Sequence, residues 1–157
     1  MGDAPEEVGL AKKGNASLLF QPAGFKAGNA DDQAMVLQLE VARRWRVLLT
    51  TDSGEATERK LMAQTTALAS DVLVKGQHHS GISGGAEFID RVHPRLIVAT
   101  SPIFPENERV KDDWAEMVIQ KGARLLRQDE TGAVTLRFFS DRWEAIPFLE
   151  SRAYEFR

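Results

Sequence analysis

The sequence has no cysteine and only three histidines. Without cysteine the chain cannot form disulfides, thiolate zinc sites, iron–sulfur clusters or a cysteine nucleophile. With three histidines it cannot by itself supply a metal site that needs four imidazoles. It also lacks an apolar run near the ~20 residues that cross a bilayer, and its start lacks the apolar segment of a signal peptide. We therefore expect a soluble chain with no direct membrane insertion.

The sequence also lacks a large excess of positive or negative charge. The chain has 157 residues, with 20 basic and 23 acidic side chains, and its formal net charge is −3. Both halves are slightly acidic, so neither is a basic arm for nucleic acid. Hydrophobic residues make up 43% and charged residues 27%, the balance of an ordinary globular domain rather than a disordered segment.

The hydrophobic pattern predicts an α/β protein with a mixed sheet and helices. Strands are predicted at 17–21, 35–41, 46–50, 71–75, 96–100, 124–128, 133–139 and 143–148, and helices at 53–69, 86–92 and 109–121. From residue 71 onward strands alternate with helices, which is typical of a sheet layered against helices. We expect a flexible N-terminal segment at 1–16, one folding unit at 17–149 and a tail at 150–157.

The first candidate for chemistry is Asp52, which follows a predicted strand directly. Ligands of layered α/β proteins gather beyond the carboxyl ends of strands, so an acid there is well placed for function. A structural role is the alternative, because Asp52 and Ser53 also precede a predicted helix and suit its first turn.

The second candidate is the loop Lys-Gly-Gln-His-His-Ser-Gly-Ile-Ser at 75–83, which follows another predicted strand. It contains His78 and His79, and imidazole is the commonest metal ligand among side chains. Adjacent residues on extended backbone point to opposite sides, so one histidine would bind metal while the other faces a substrate or a carboxylate. Two ordinary surface histidines are the alternative.

The order of these motifs resembles a known family. The chain has, in order, N-x-D-D-x-x-x-V-L-x-L from residue 29, L-L-T-T-D from 48, D-V-L-V-K-G-Q-H-H-S from 71, R-V-H-P from 91, Q-K-G-A from 120 and D-E-T-G-A from 129. It is similar to the C-terminal part of a metallo-β-lactamase-fold domain, in the version attached to ComEC-type competence proteins of the DNA-uptake channel family. The resemblance covers roughly residues 15–148.

The resemblance implies a set of site residues. Asp52 matches a catalytic, metal-bridging aspartate, whose two oxygens can reach two cations about 3.5–4 Å apart. His78 and His79 match a pair that contributes one ligand to the second metal, although an ungapped alignment places Gln77 and His78 there instead. The positions that match cleft-lining residues are Asn29, Asp31, Asp32, Ser80 and Ser83. His93 matches no functional position, and we expect it at an exposed helix end.

The resemblance also implies partners and a setting. The cofactor would be zinc or manganese, and two such cations would activate a bridging water to attack a phosphodiester of DNA. The parent would be a bacterial inner-membrane protein with this domain on its outer side. However, the His-x-His-x-Asp-His motif that supplies most ligands of the first metal is missing, and Thr51 replaces the usual glycine before Asp52.

Three hypotheses remain, and one of them is an α/β domain whose likeness to the family is accidental; the other two give the likeness a meaning. In the first, the chain is part of a metal-dependent phosphodiesterase or nuclease and is incomplete without the remainder of the parent protein. In the second, it is a non-catalytic interaction module with a degenerate metallo-β-lactamase fold. Half of an αββα sandwich would expose an apolar face, which favours a homodimer through that half-sheet, Phe25 or Trp45.

Overall fold

A mixed seven-stranded sheet forms the centre of the computed structural model, which describes residues 6–10, 14–20, 33–64, 67–76 and 83–157. The strands lie side by side in chain order. They are β1 (Glu6–Leu10), β2 (Gly14–Phe20), β3 (Val36–Val41), β4 (Trp45–Thr51), β5 (Val72–Lys75), β6 (Leu96–Ala99) and β7 (Arg124–Arg127). Neighbouring strands from β1 to β4 are antiparallel, and those from β4 to β7 are parallel. The carboxyl ends of β4 to β7 therefore lie along one edge.

Helices cover one face of this sheet. They are α1 (Glu55–Gln64), α2 (Ala86–Val92) and α3 (Asp112–Gln120), with a one-turn helix α4 (Gln128–Thr131) after β7 and a 3₁₀ turn at Glu106–Glu108. Their apolar residues pack with the strands into a first core. That core contains Val36, Leu48, Leu61, Leu68, Leu73, Phe88, Ile89, Val92, Ile97, Val118 and Ala123. No helix in the described ranges is long and apolar enough to span a membrane.

A second, antiparallel sheet lies against a second core. Its strands are β8 (Val134–Phe138), β9 (Trp143–Pro147) and β10 (Tyr154–Phe156), in the order β10-β9-β8. Trp143 of β9 is fully buried and stacks on Phe156, with ring centroids 3.9 Å apart. The core joins side chains of both sheets, namely Trp45, Val47, Val72, Leu96, Val98, Leu126, Trp143 and Ala145. Alternate residues of β4 thus face different cores, as the period of a strand requires.

The small sheet changes one expectation about an exposed apolar face. Trp45 is only 3% exposed, and its indole Nε1 donates a hydrogen bond to the carbonyl of Phe139 at 2.7 Å. The prediction that Trp45 lies on a free interface is therefore wrong. The apolar surface of β4 to β7 that faces this way is covered by β8 to β10 of the same chain. Phe25 lies outside the described residues.

The α/β class and the mixed sheet are confirmed. The local sequence does not predict β1 or β10, which are short and lie within the segments expected as a flexible start at 1–16 and a tail at 150–157. Each pairs with one neighbouring strand. Helix α1 ends at Gln64 rather than residue 69, and α3 begins at Asp112 rather than residue 109. A helical turn, α4, lies between the strands predicted at 124–128 and 133–139, and β7 ends one residue earlier than predicted, at Arg127.

Candidate functional site

Asp52 lies at the carboxyl edge of the parallel strands. It follows Thr51, the last residue of β4, and it is exposed to solvent. Because β5 runs parallel to β4 with Lys75 opposite Thr51, the chain leaves β5 at the same edge. The structure therefore places Asp52 beside the start of the loop that contains the two histidines, as expected for neighbouring parallel strands.

Gly76 brings the two strand ends into direct contact. A Cβ atom at Gly76 would overlap the carbonyl group of Thr51 and would lie 2.6 Å from the Asp52 carboxylate oxygen Oδ1. Only glycine leaves room for this approach of one backbone to another. The first residue after β5 is thus in contact with Thr51 and next to Asp52.

Thr51 itself has an unusual backbone conformation. Its φ is 48°, in the left-handed region that glycine favours and that is strained for a β-branched residue. Its hydroxyl donates a hydrogen bond to the carbonyl of Met35 at 2.9 Å. The residue that departs from the family pattern, threonine where glycine is usual, is therefore at a position whose backbone angle suits glycine.

A buried glutamate holds the other end of the histidine loop. Glu58 of α1 is 3% exposed, and its carboxylate accepts hydrogen bonds from the backbone N–H of Gly84 at 2.5 Å and of Gly85 at 3.3 Å. The indole Nε1 of Trp114, from α3, donates to the carbonyl of Gly84 at 2.8 Å. Two helices therefore fix the chain where it leaves residues 77–82.

Glu58 is buried and Lys75 is half-buried at this edge, and the charge of each affects the pKa of the other. Burial raises the pKa of Glu58, although the hydrogen bonds from Gly84 and Gly85 and the charge of Lys75 counteract it. Burial lowers the pKa of Lys75, against the attraction of the Glu58 and Asp52 carboxylates. The Lys75 ammonium also lies 5.0 Å from the centroid of the Trp114 ring. A cation is therefore the electrostatic neighbour of Asp52 in the described structure.

The sequence did not indicate Glu58 as part of the site, and it included Lys75 only as the first residue of the candidate loop at 75–83, with no role of its own. A signal was present for Glu58, since it lies three residues before Leu61 and so on the same face of α1. A glutamate on the apolar face of a helix needs a buried partner. For Lys75 the sequence offers no comparable signal, because its burial depends on α1 and α3, which are distant in the chain.

Only some of the predicted site residues are described. Asp52 lies at the edge as expected, and Ser83 is buried with 7% exposure. The other candidates lie outside the described residues, namely Asn29, Asp31, Asp32, His78, His79 and Ser80. His93 is exposed at the end of α2 with a left-handed φ of 50°, which agrees with the expected helix end.

The described residues do not by themselves fit a metal centre. Within the described ranges, no three His, Cys, Asp or Glu side chains converge in a way that would hold a metal ion. Asp52 is a single carboxylate, and its charged neighbour Lys75 is a cation rather than a second ligand. A zinc or manganese site needs more donors than this.

A second polar network lies at the same edge, after β6 and β7. Asp129 accepts hydrogen bonds from the guanidinium groups of Arg109 and Arg127, each at 2.9 Å, and its side chain is fully buried. The hydroxyl of Ser101 accepts from the backbone N–H of Val110 at 3.0 Å. These contacts hold the base of a loop at 100–111 whose tip exposes Phe104 by 85%.

The fold and the carboxyl-edge arrangement define an α/β protein with a candidate site at the ends of parallel strands. No family model matches the chain. It is similar to ComE operon protein 3 of Bacillus subtilis (strain 168), with 23% identity over 121 residues that cover 76% of this chain. The matched region is 15% of that protein, so the chain spans a small part of its relative. The resemblance to ComEC-type proteins is thus supported in its coarse form, as a distant bacterial relative.

Proposed function

We propose that this chain is part of a metal-dependent hydrolase domain of a competence-related protein that acts on DNA phosphodiesters. In this proposal Asp52 and the loop at 77–82 contribute ligands to a zinc or manganese site. Other ligands come from the remainder of the parent protein. The observation that carries the proposal is the contact at Gly76, which brings the start of the histidine loop against Thr51 and Asp52.

Two further findings support it. Glu58 and Trp114 hold the end of the loop at Gly84 and Gly85, so the loop leaves and re-enters the fold near the same edge. The similarity to ComE operon protein 3 agrees with the motif order that suggested a competence protein.

Metal titration of the purified chain tests the proposal. Zn²⁺ and Mn²⁺ binding is measured by calorimetry for the wild type, Asp52→Asn and Asp141→Asn. Asp141 is a matched control because it is an exposed aspartate far from Asp52. Its neighbour Ser140 accepts a hydrogen bond from Arg44, which lies in the hairpin turn at the opposite end of β4. We expect weak binding that Asp52→Asn reduces at least tenfold and Asp141→Asn leaves unchanged.

Two results would contradict different parts of the proposal. Equal binding by all three proteins would remove Asp52 from the site. Tight stoichiometric binding together with hydrolysis of a phosphodiester by this chain alone would overturn the view that it is incomplete.

A non-catalytic interaction module is the second candidate, because the loop after β6 presents apolar side chains to solvent. Ile103 and Phe104 are 77% and 85% exposed, more than expected of large apolar residues without a partner. In this alternative the chain forms a homodimer through that loop. Light scattering would then show a dimer that Phe104→Ser converts to a monomer, and metal titration would show no binding.

A further inference from the structure

A basic cleft lies at the opposite edge of the sheet from Asp52. Its volume is about 620 Å³, and it is bordered by the starts of β6 and β7, the ends of α2 and α3, and Phe156 of β10. Four of the ten residues that line it are basic, namely His93, Arg95, Lys121 and Arg124, and none is acidic. This composition contrasts with the net charge of −3 of the whole chain.

Strand pairing places two of these cations together. Arg95 directly precedes β6, and Arg124 is the first residue of β7, where its backbone N–H donates to the carbonyl of Arg95 at 3.0 Å. Because the backbones are hydrogen-bonded, both side chains start from neighbouring points of the same edge. The pairing of the two strands therefore brings the two positive charges close together.

Aromatic rings hold the two guanidinium groups without neutralising them. Arg95 lies 5.3 Å from the ring centroid of Phe156, and Arg124 lies 4.2 Å from that of Tyr154. Neither arginine forms an ion pair with any carboxylate in the described ranges. Lys121 does pair with Asp90, at 2.6 Å, so it offers less free charge. Cation–π contacts orient an arginine while they leave its full charge available to an anion.

The nature of the ligand follows from these groups. One face of Phe156 is stacked on Trp143, and the Arg95 guanidinium lies beside this ring pair, 5.3 Å from the Phe156 centroid and 6.0 Å from that of Trp143. The charged groups of the cleft are therefore guanidinium groups, whose planar N–H forks match the oxygens of phosphate. We propose that this cleft binds a phosphate group, either as a free phosphate or as part of a single-stranded DNA backbone.

The proposal does not depend on the proposed metal site. Arg95 and Arg124 lie at the amino ends of β6 and β7, whereas Asp52 lies at the carboxyl edge. Phosphate binding to the cleft is therefore expected to be unchanged by Asp52→Asn in the absence of metal. A failure of one proposal can be told from a failure of the other.

The experiment uses two probes and the full chain. Calorimetry measures inorganic phosphate, and fluorescence anisotropy measures a labelled single-stranded oligothymidylate at low salt. The proteins are the wild type, Arg124→Gln, the double variant Arg95→Gln/Arg124→Gln, and Arg137→Gln, which alters an exposed arginine of β8 as the control. Thermal unfolding checks that each variant is folded, and Arg124→Lys is a milder variant that keeps the charge but loses the fork.

We expect the double variant to weaken binding at least tenfold, Arg124→Lys to weaken it less, and Arg137→Gln to have no effect. For the oligonucleotide, loss of two cationic contacts makes the negative slope of log K against log salt less steep by roughly 1.4. Competition of phosphate with the oligonucleotide assigns both probes to the cleft, and binding of the oligonucleotide alone identifies a DNA strand as the source. No binding of either probe, or binding unchanged in the double variant, would overturn the proposal.

Discussion

A single buried carboxylate, that of Asp129, holds two segments together at the carboxyl edge of the sheet. The side chain of Asp129 is fully buried, yet it stays ionised because Arg127 and Arg109 donate to it. Burial by itself would raise the pKa of Asp129, but hydrogen bonds from Arg127, Ser101 and Arg109 outweigh it and hold the pKa below its ordinary value of 3.8. One residue thereby ties the end of β7 to the loop that follows β6.

Asp129→Asn is expected to lower the free energy of unfolding by about 3 kcal/mol at pH 7, because it leaves Arg127 without its main buried partner. A lowered pKa means that the carboxylate stabilises the fold above its ordinary pKa and loses this effect as the pH falls through the lowered value. Urea unfolding at pH 7 and pH 3 should therefore show a smaller difference between wild type and variant in acid.

The exposed Asp141→Asn is the control for Asp129→Asn, with an expected change within about 0.5 kcal/mol. An equal loss at both pH values would contradict a role for the ionised Asp129.

At the scale of elements, the junction of β4 and β5 determines the geometry of the candidate site. β4 ends at Thr51, which has a left-handed backbone conformation, and the glycine that directly follows β5, Gly76, touches it. The register between the strands also shifts between Leu49 and Thr51. The contact is between two backbones, so there is no space for a side-chain atom at Gly76.

Gly76→Ala is expected to destabilise the protein by about 3 kcal/mol, because its Cβ would overlap the Thr51 carbonyl and the backbones would have to separate. Gly122→Ala is the matched control. Gly122 has a φ of +85° but no atom within 4 Å of the added Cβ, so only the backbone strain of about 1 kcal/mol is expected. Urea unfolding compares them, and equal losses would show that close approach at Gly76 is unimportant.

At the scale of the whole molecule, one sheet is stabilised by two different layers. Helices bury one face through Leu73 and Ile97, and the small sheet buries the other through Val72 and Leu96. Alternation along β5 and β6 therefore sends neighbouring residues into separate cores. This explains why both strands are apolar at successive positions rather than alternately polar.

Deletion of residues 153–157 tests the contribution of the last strand. It removes β10 and the Phe156 ring that stacks on Trp143. We expect a loss of about 2–3 kcal/mol, because two partly buried aromatic side chains are removed, and a red shift of tryptophan fluorescence as Trp143 meets solvent. Deletion of Arg157 alone is the control, and an unchanged urea midpoint after the longer deletion would contradict this role of β10.

How far the sequence predicts the fold differs between strands. The apolar runs at 71–75 and 96–100 predict β5 and β6 within one residue at each end, because a buried parallel strand needs apolar residues on both faces. The local sequence pattern does not predict β1 and β10. Each forms because a neighbouring strand offers backbone hydrogen bonds, and the local sequence does not indicate which strand will be its neighbour.

The candidate site divides in the same way. Asp52 is predicted at a strand end from its local sequence, whereas Glu58 and Lys75 emerge only when α1, β5 and α3 come together. Arg95 and Arg124 are likewise distant in the chain and adjacent in the sheet.

The lack of cysteine, the few histidines and the alternation of apolar runs by themselves determined the α/β class, the excluded chemistries and the strand ends where polar residues gather. These properties are local, since they follow from residue type and from the period of a strand or helix. The tertiary structure alone decided which carboxylates are buried, that the small sheet covers Trp45, and that one cleft holds Arg95 and Arg124, which pair with no carboxylate in the described part of the chain. Burial and charge proximity depend on residues far apart in the chain, so only the folded arrangement specifies them.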